Sequence, residues 1–381
     1  MRENRIAHYA DFAVYPVLIA VMILAIADKA SPVERAIALG FALGGAFLWT
    51  LFEYLLHRLV LRGEGSIGGL QREVAWRGTG RAGIGDPSTG VRQGVSFQSE
   101  VKMNETLDSG KIRLLRHSNE YWRVRFDLPP LNIFGPAHIP QLEEIVSSLE
   151  TDDRVKVVVF DSAVEGFFLT HYDFLAKLED STKYPAGSTG LQPLPDMFAR
   201  LSRASVVSIS LIRGRATGVG SELALASDMR FASREKAVLS QWEVGAGLVP
   251  GGGPMARLPR LIGRGRALEV LLGADDIGGD LAERYGYVNR SLADAELDEF
   301  VDRLARRIAG FDKEAIAATK HLVNIASLPS DSEIAPEWQA FLDSLARPES
   351  QERLRKLMDR GFHKPGDVEN RLGFYVGQLG S

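Results

Sequence analysis

The chain of 381 residues contains no cysteine. This excludes disulfides, thiolate metal sites and a cysteine nucleophile, and it fits a reducing compartment. Clustered histidine is also missing. Histidines 8, 57, 117, 138, 171, 321 and 363 form no HxxxH or HExxH pair, so no metal centre is expected. There is no excess of charge of one sign either. With 45 Lys and Arg against 49 Asp and Glu, the net charge is −4, too slight and mixed to attract nucleic acid. What is present is ordinary for a chain with a real core, 45% apolar and 25% charged residues. The length suits two units, or one large unit with an appendage.

Three regions follow one another. Residues 1–62 hold two uncharged apolar runs, Phe12 to Ala27 and Ala36 to Phe52, joined by a polar turn containing Pro32. Each run alone is slightly short of the roughly 20 residues that span a bilayer. Their apolar residues surround each helix instead of forming one stripe, which points to a transmembrane hairpin through residues 12–61. The alternative is a soluble hairpin packed on the rest of the chain or on another subunit. Arg2 and Arg5 precede the hairpin and Arg58, Arg62, Arg72, Arg77 and Arg81 follow it, so both ends are expected in the cytoplasm, anchored at the inner face of the membrane. Residues 63–100 contain ten glycines in 38 positions and read as a flexible linker. Residues 101–381 read as an α/β domain. An antiparallel hairpin is expected over 111–127, a helix from Pro136 to near Glu150, and strands at 155–160 and 206–212. A helix at 220–227, short strands at 229–232 and 237–240, and a helical tail from Pro254 complete the pattern.

Two glutamates stand out in this domain. Glu222 follows the glycine loop Gly214 to Gly220 and opens an apolar helix; Glu243 precedes the run Gly251-Gly252-Gly253. A glycine loop feeding a helix offers backbone N–H groups to a developing negative charge. Two carboxylates facing one small space can activate a water and pass on its proton. The second glycine run lacks a following Gly-Lys-Ser/Thr and reads as tight turns, not as a phosphate cradle.

Several segments now carry a resemblance. Pro130-Leu131-Asn132 comes first, then Val157 to Phe160 leading into Phe168-Leu169-Thr170-His171-Tyr172-Asp173-Phe174. The block Gly214 to Asp228 follows, then Gln241-Trp242-Glu243-Val244 before Pro250-Gly251-Gly252-Gly253, then Arg257 to Gly263 and Tyr285 to Asn289. In this order they resemble the crotonase, or enoyl-CoA hydratase/isomerase, superfamily over about residues 101–362. The resemblance implies an α/β spiral of ββα units with a helical C-terminal part that builds trimers, often hexamers. It implies an acyl-CoA substrate, with coenzyme A as part of the substrate and no separate cofactor. The thioester oxygen would accept the backbone N–H groups of Tyr172 and Val219. Glu222 and Glu243 would hold the water that adds to a trans-2-enoyl-CoA. Leu131, Thr170, His171, Asp173, Phe174, Gly218 and Trp242 would line the substrate and CoA site.

Against the family pattern, His171 and Val219 replace glycines and Trp242 replaces a proline. His171 reads as a third acid/base group or, more simply, as pocket wall; Asp173 reads as a holder of its loop. Leu48 to Arg58 resembles a membrane segment of the fatty acid hydroxylase and sterol desaturase family. Only His57 of that family's iron ligands is present there, so a working hydroxylase is excluded on ligand count. The leading expectation is enoyl-CoA hydration. Isomerisation, thioester hydrolysis, decarboxylation and non-catalytic acyl-CoA binding are the alternatives.

Overall fold

A computed structural model describes residues 107–108 and 112–380. The hairpin expected at 12–61 and the linker at 63–100 lie outside the described residues. Among the described residues, no helix is long and apolar enough to cross a membrane.

Eleven strands form two sheets among the described residues. They are β1 (Leu107–Asp108), β2 (Ile112–Arg116), β3 (Tyr121–Phe126), β4 (Val157–Ser162), β5 (Phe167–Leu169), β6 (Val207–Ile212), β7 (Arg215–Thr217), β8 (Met229–Ser233), β9 (Val238–Ser240), β10 (Ile277–Gly278) and β11 (Arg290–Leu292). The larger sheet runs β1-β2-β3-β4-β6-β8-β11 and the smaller β10-β9-β7-β5. Successive pairs β4/β5, β6/β7 and β8/β9 each place one strand in each sheet, which is the spiral of ββα units that the resemblance implies. The hairpin β2–β3 is antiparallel, with Leu114 opposite Val124, as the alternation over 111–127 predicts.

Two-residue periodicity explains how the larger sheet buries both faces. Val157 and Val159 of β4 and Ile209 and Leu211 of β6 face the helix Asp294–Ala309, whose Leu297, Val301 and Ala305 recur every fourth residue. Val158 and Phe160 face the other way, into the main core with Leu142, Ile145, Val146 and Leu149 of the helix Ile139–Thr151. Burying each such aliphatic side chain contributes about 1.5–3 kcal/mol. Pro136 opens a single 3-10 turn, and the α-helix proper starts at Ile139.

One buried element has no counterpart in the sequence reading, the helix Pro193–Arg203. Pro193 and Pro195 look like breakers, but both sit in the first turn, where a missing N–H costs little. Asp196 holds the entry to this helix by accepting from the Thr189 N–H and Oγ1.

A third cluster joins the segment 242–248 to residues 354–379. Trp242, Ala246 and Leu248 pack with Leu354, Leu357, Phe362, Val368, Leu372 and Val376, with Phe174 and Phe341 against them. This packing brings the last 20 described residues beside the loop 171–174.

Candidate active site

The loop after β5 is held by a parallel bridge between Phe134 and Tyr172. Phe134 N–H donates to His171 O at 3.2 Å, and Asp173 N–H donates to Phe134 O at 2.8 Å. Phe134 therefore straddles Tyr172, whose own N–H and C=O point to the opposite side. Among the described residues the Tyr172 N–H has no partner. The second N–H comes from a helix start. Gly218, at φ +53, precedes the helix Val219–Ala226, and Val219 is its first residue, so its N–H has no intrahelical acceptor. The positive φ falls on Gly218 and not on Val219, which is how a β-branched residue is accommodated in this loop.

Glu222 sits in the first turn of that helix, and Glu243 opens the short 3-10 turn Glu243–Ala246. Both are buried. Gly252 N–H donates to Glu222 Oε1 at 2.7 Å. Burial raises the Glu222 carboxyl, and the Gly252 and Gly251 N–H groups and the Arg257 charge offset part of that rise. Burial raises Glu243 well above the usual carboxylate range, and the neighbouring Glu222 charge pushes it further. Glu243 Oε2 has no hydrogen-bond partner. The pair is therefore arranged to keep a proton at neutral pH.

Both glutamates line one small chamber of about 40 Å3 with His171, Tyr172, Phe174, Leu194, Val219, Trp242, Gly251, Gly252, Trp338 and Phe341. That space exceeds the roughly 10–15 Å3 a water needs. Tyr172, Phe174, Trp338 and Phe341 also wall a neighbouring cavity of about 490 Å3. A still larger cavity of about 770 Å3, against the helix Lys313–Ser327, contains neither glutamate, so size alone does not locate the chemistry here.

Of the residues expected at the site, Glu222, Glu243, Tyr172, Val219, His171, Phe174 and Trp242 meet at the chamber. Gly218 lies beneath it. A Cβ there would be 2.9 Å from Glu243 Oε1 and 3.1 Å from Trp242 Nε1. Asp173 instead lines the neighbouring cavity and accepts the Leu175 N–H at 2.9 Å. Leu131 and Thr170 are buried behind the loop and are not on the chamber wall, where Thr170 Oγ1 donates to Leu131 O at 3.0 Å. Gly252 is a glycine because of its approach to Glu222 and not because of a tight turn. The turn belongs to Gly253, at φ +98.

His171 contacts both the loop and the chain's end. Its Nδ1 lies 2.8 Å from Tyr172 O, and its Nε2 lies 3.1 Å from Glu369 Oε1. A carbonyl only accepts, so hydrogen-bond accounting puts a proton on Nδ1. Both ring nitrogens are engaged away from the chamber, leaving the ring itself as wall. Trp242 stacks edge-on against His171 and Phe174 and fills the chamber's flank.

The sequence reading did not place Leu194, Trp338, Phe341, Glu369 or His363 at the site. Trp338 and Phe341 arrive on the helix Asp331–Leu345, where three-residue spacing reads only as an apolar helical face.

Comparison with known proteins agrees with this geometry. The Enoyl-CoA hydratase/isomerase family matches residues 117–361. A short-chain-enoyl-CoA hydratase of Clostridium acetobutylicum is 26% identical over 231 residues, 60% of this chain and 87% of that protein. A crotonyl-CoA hydratase of Syntrophomonas wolfei is 30% identical over 196 residues, 51% of this chain and 74% of that protein. A crystal structure assigned to an enoyl-CoA hydratase of Streptomyces avermitilis superposes with a TM-score of 0.67 at 41% identity, covering 71% of this chain and 97% of that one. The chain belongs to the enoyl-CoA hydratase/isomerase family, and its fold is the crotonase-like α/β fold. It is an enzyme of that hydratase/isomerase family.

Proposed function

We propose that the chain adds water across the double bond of a trans-2-enoyl-CoA. The thioester oxygen accepts the Tyr172 and Val219 N–H groups, which lowers the barrier to the enolate-like intermediate. Of Glu222 and Glu243, the ionised carboxylate takes a proton from the water as its oxygen bonds to C3. The protonated one gives its proton to C2, and the product is a 3-hydroxyacyl-CoA. The carrying observation is that two buried carboxyls, both raised toward the neutral form, share one chamber with two unpartnered backbone N–H groups.

The test is to incubate the full-length protein with crotonyl-CoA and a longer trans-2-enoyl-CoA. Expected are loss of the conjugated enoyl absorbance and a product heavier by one water. A product of unchanged mass with a moved double bond, or free CoA, would replace this reading with isomerisation or hydrolysis.

The site residues take these roles without a metal, and coenzyme A enters with the substrate. A homotrimer or hexamer is part of the proposal. The helix Lys313–Ser327 has no buried residue, and Leu322, Val323 and Ile325 are exposed on it, which supports a covering partner copy. Anchoring of residues 12–61 at the inner face of the membrane, with the catalytic domain in the cytoplasm, rests on the apolar runs and on the arginines that flank them. Its test is whether the full-length protein sediments with membranes and needs detergent for release.

A further inference from the structure

The loop that carries the Tyr172 N–H is clasped by the chain's end. Glu369, in the short helix Asp367–Asn370, is 1% exposed and lies 198 residues from His171 in sequence. Its Oε1 accepts from two groups, His171 Nε2 at 3.1 Å and the His363 N–H at 2.7 Å. His363 sits at φ +67, a left-handed backbone that costs a non-glycine residue energy and needs its surroundings to hold it. From there its Nε2 accepts the Phe174 N–H at 3.3 Å, and its Nδ1 is 3.6 Å from Asp173 Oδ1. The clasp thus grips residues 171, 173 and 174 around Tyr172, whose N–H has no partner among the described residues.

We infer that Glu369 is a positioning residue for catalysis. Acting through His171, it holds the peptide plane that follows Tyr172 and so keeps Tyr172 from turning about its backbone, with its N–H aimed at the substrate's thioester oxygen. His171 O is held by the Phe134 N–H, and Tyr172 O is held by His171 Nδ1. If Glu369 is removed, the imidazole loses the anchor at Nε2 and can rotate off Tyr172 O. Two protonation tendencies fit the arrangement. Burial alone would raise Glu369, but the His171 charge and the hydrogen bonds from His171 and His363 hold it below the usual carboxylate range. Burial, then the His171 charge, lowers His363 to about 4, which keeps Nε2 free to accept from Phe174. A glycine at position 171, as the family pattern has, could not make this clasp.

The inference rests on the oxyanion assignment proposed above, and its test separates the two. The full-length protein and its Glu369→Ala and Glu369→Gln variants are saturated with butyryl-CoA labelled with 13C at the thioester carbonyl. The carbonyl stretch is read by difference infrared, beside kcat and KM for crotonyl-CoA. Expected is a lowered stretch in the unaltered protein. Glu369→Ala loses most of that lowering and about tenfold to a hundredfold in kcat, the scale of a misplaced catalytic group, with KM nearly unchanged. Glu369→Gln keeps an acceptor for His171 and His363 and recovers most of both.

Should Glu369→Ala fail to fold, the double variant His171→Phe/Glu369→Leu removes both partners together, which a buried pair tolerates better; it must show the same losses. Butyryl-CoA has no double bond, so the infrared arm reads oxyanion positioning whether or not water is added. No hydration, with a shift that depends on Glu369, sinks the hydratase reading alone. Hydration and a shift both indifferent to Glu369 overturn this inference alone; a carbonyl stretch that binding leaves unmoved overturns the oxyanion assignment and this inference with it.

Discussion

Gly252 and Glu222 are in direct hydrogen-bond contact, and the space between them admits no side chain. A Cβ on Gly252 would lie 2.2 Å from Glu222 Oε2, while its N–H holds Oε1 at 2.7 Å. Gly252→Ala must therefore turn the carboxylate away from the chamber. Expected is a loss of about a hundredfold in kcat, the scale of an ångström of misplacement, with the fold retained at a cost of about 1–3 kcal/mol for overpacking. Turnover of crotonyl-CoA and a urea melt check both; unchanged turnover in a folded variant would show that Glu222 is not held in place by this contact.

Glu243 has a raised carboxyl with Oε2 unpartnered, so activity and stability pull in opposite directions there. Glu243→Gln is expected to lower kcat by about 10²–10⁴-fold, the usual worth of a general acid or base. The same change should raise stability at neutral and alkaline pH. The folded state keeps a proton on this raised carboxyl that the unfolded chain has already released, so the wild type loses stability as pH rises above the ordinary 4.5. Denaturation at pH 5 and pH 8 tests this. A gap between variant and wild type that fails to widen at pH 8 contradicts the burial of an ionisable Glu243.

The α/β class and both glutamates were legible because each rests on local pattern. Alternation along β4 separates Val157 and Val159 from Val158 and Phe160, and Glu222 directly follows its glycine loop. What was not legible is set by tertiary folding. Glu369 looks like any surface glutamate in a polar stretch until the final helices pack on Trp242 and deliver it to His171. Trp338 and Phe341 read as one face of a helix, and nothing local says that the face closes a chamber. Leu131 and Thr170 err in the other direction. They stand at motif positions, but their side chains support the loop from behind.

Trp242 is wholly buried, and its Nε1 has no hydrogen-bond partner. It flanks a chamber of only about 40 Å3, so its ring limits how bulky the reacting end of the acyl group can be. Trp242→Leu should open that flank. We expect the ratio of kcat/KM for a branched over a linear enoyl-CoA to rise about tenfold, the lower range for a methylene-sized change in an apolar pocket. Stability should fall by less than the about 3–5 kcal/mol of a tryptophan-to-alanine change. An unchanged selectivity ratio would place the acyl group on another side of the chamber.

Glu337 provides a test of the fold beside the site without touching the proposed chemistry. It lies on the helix Asp331–Leu345 and accepts the Ala256 N–H at 2.8 Å, at the start of the helix Pro254–Ile262. Burial pushes its carboxyl up to about 8; backbone N–H groups such as that of Ala256 oppose the rise, and the Glu222 charge adds to it. A raised carboxyl binds a proton in the folded state across the window from 4.5 to about 8, where the unfolded chain has let it go. Its contribution is therefore whole below the window and lost as pH rises through it. Glu337→Gln keeps an acceptor for Ala256 and cannot ionise. Urea midpoints at pH 5, 7 and 9 should show the variant gaining on the wild type by at most about 1.4 kcal/mol per pH unit, with the gain levelling off above about 8. A difference that stays constant from pH 5 to pH 9 would mean that Glu337 ionises as an exposed glutamate does, and that the helix start is more open to water than its 5% exposure indicates.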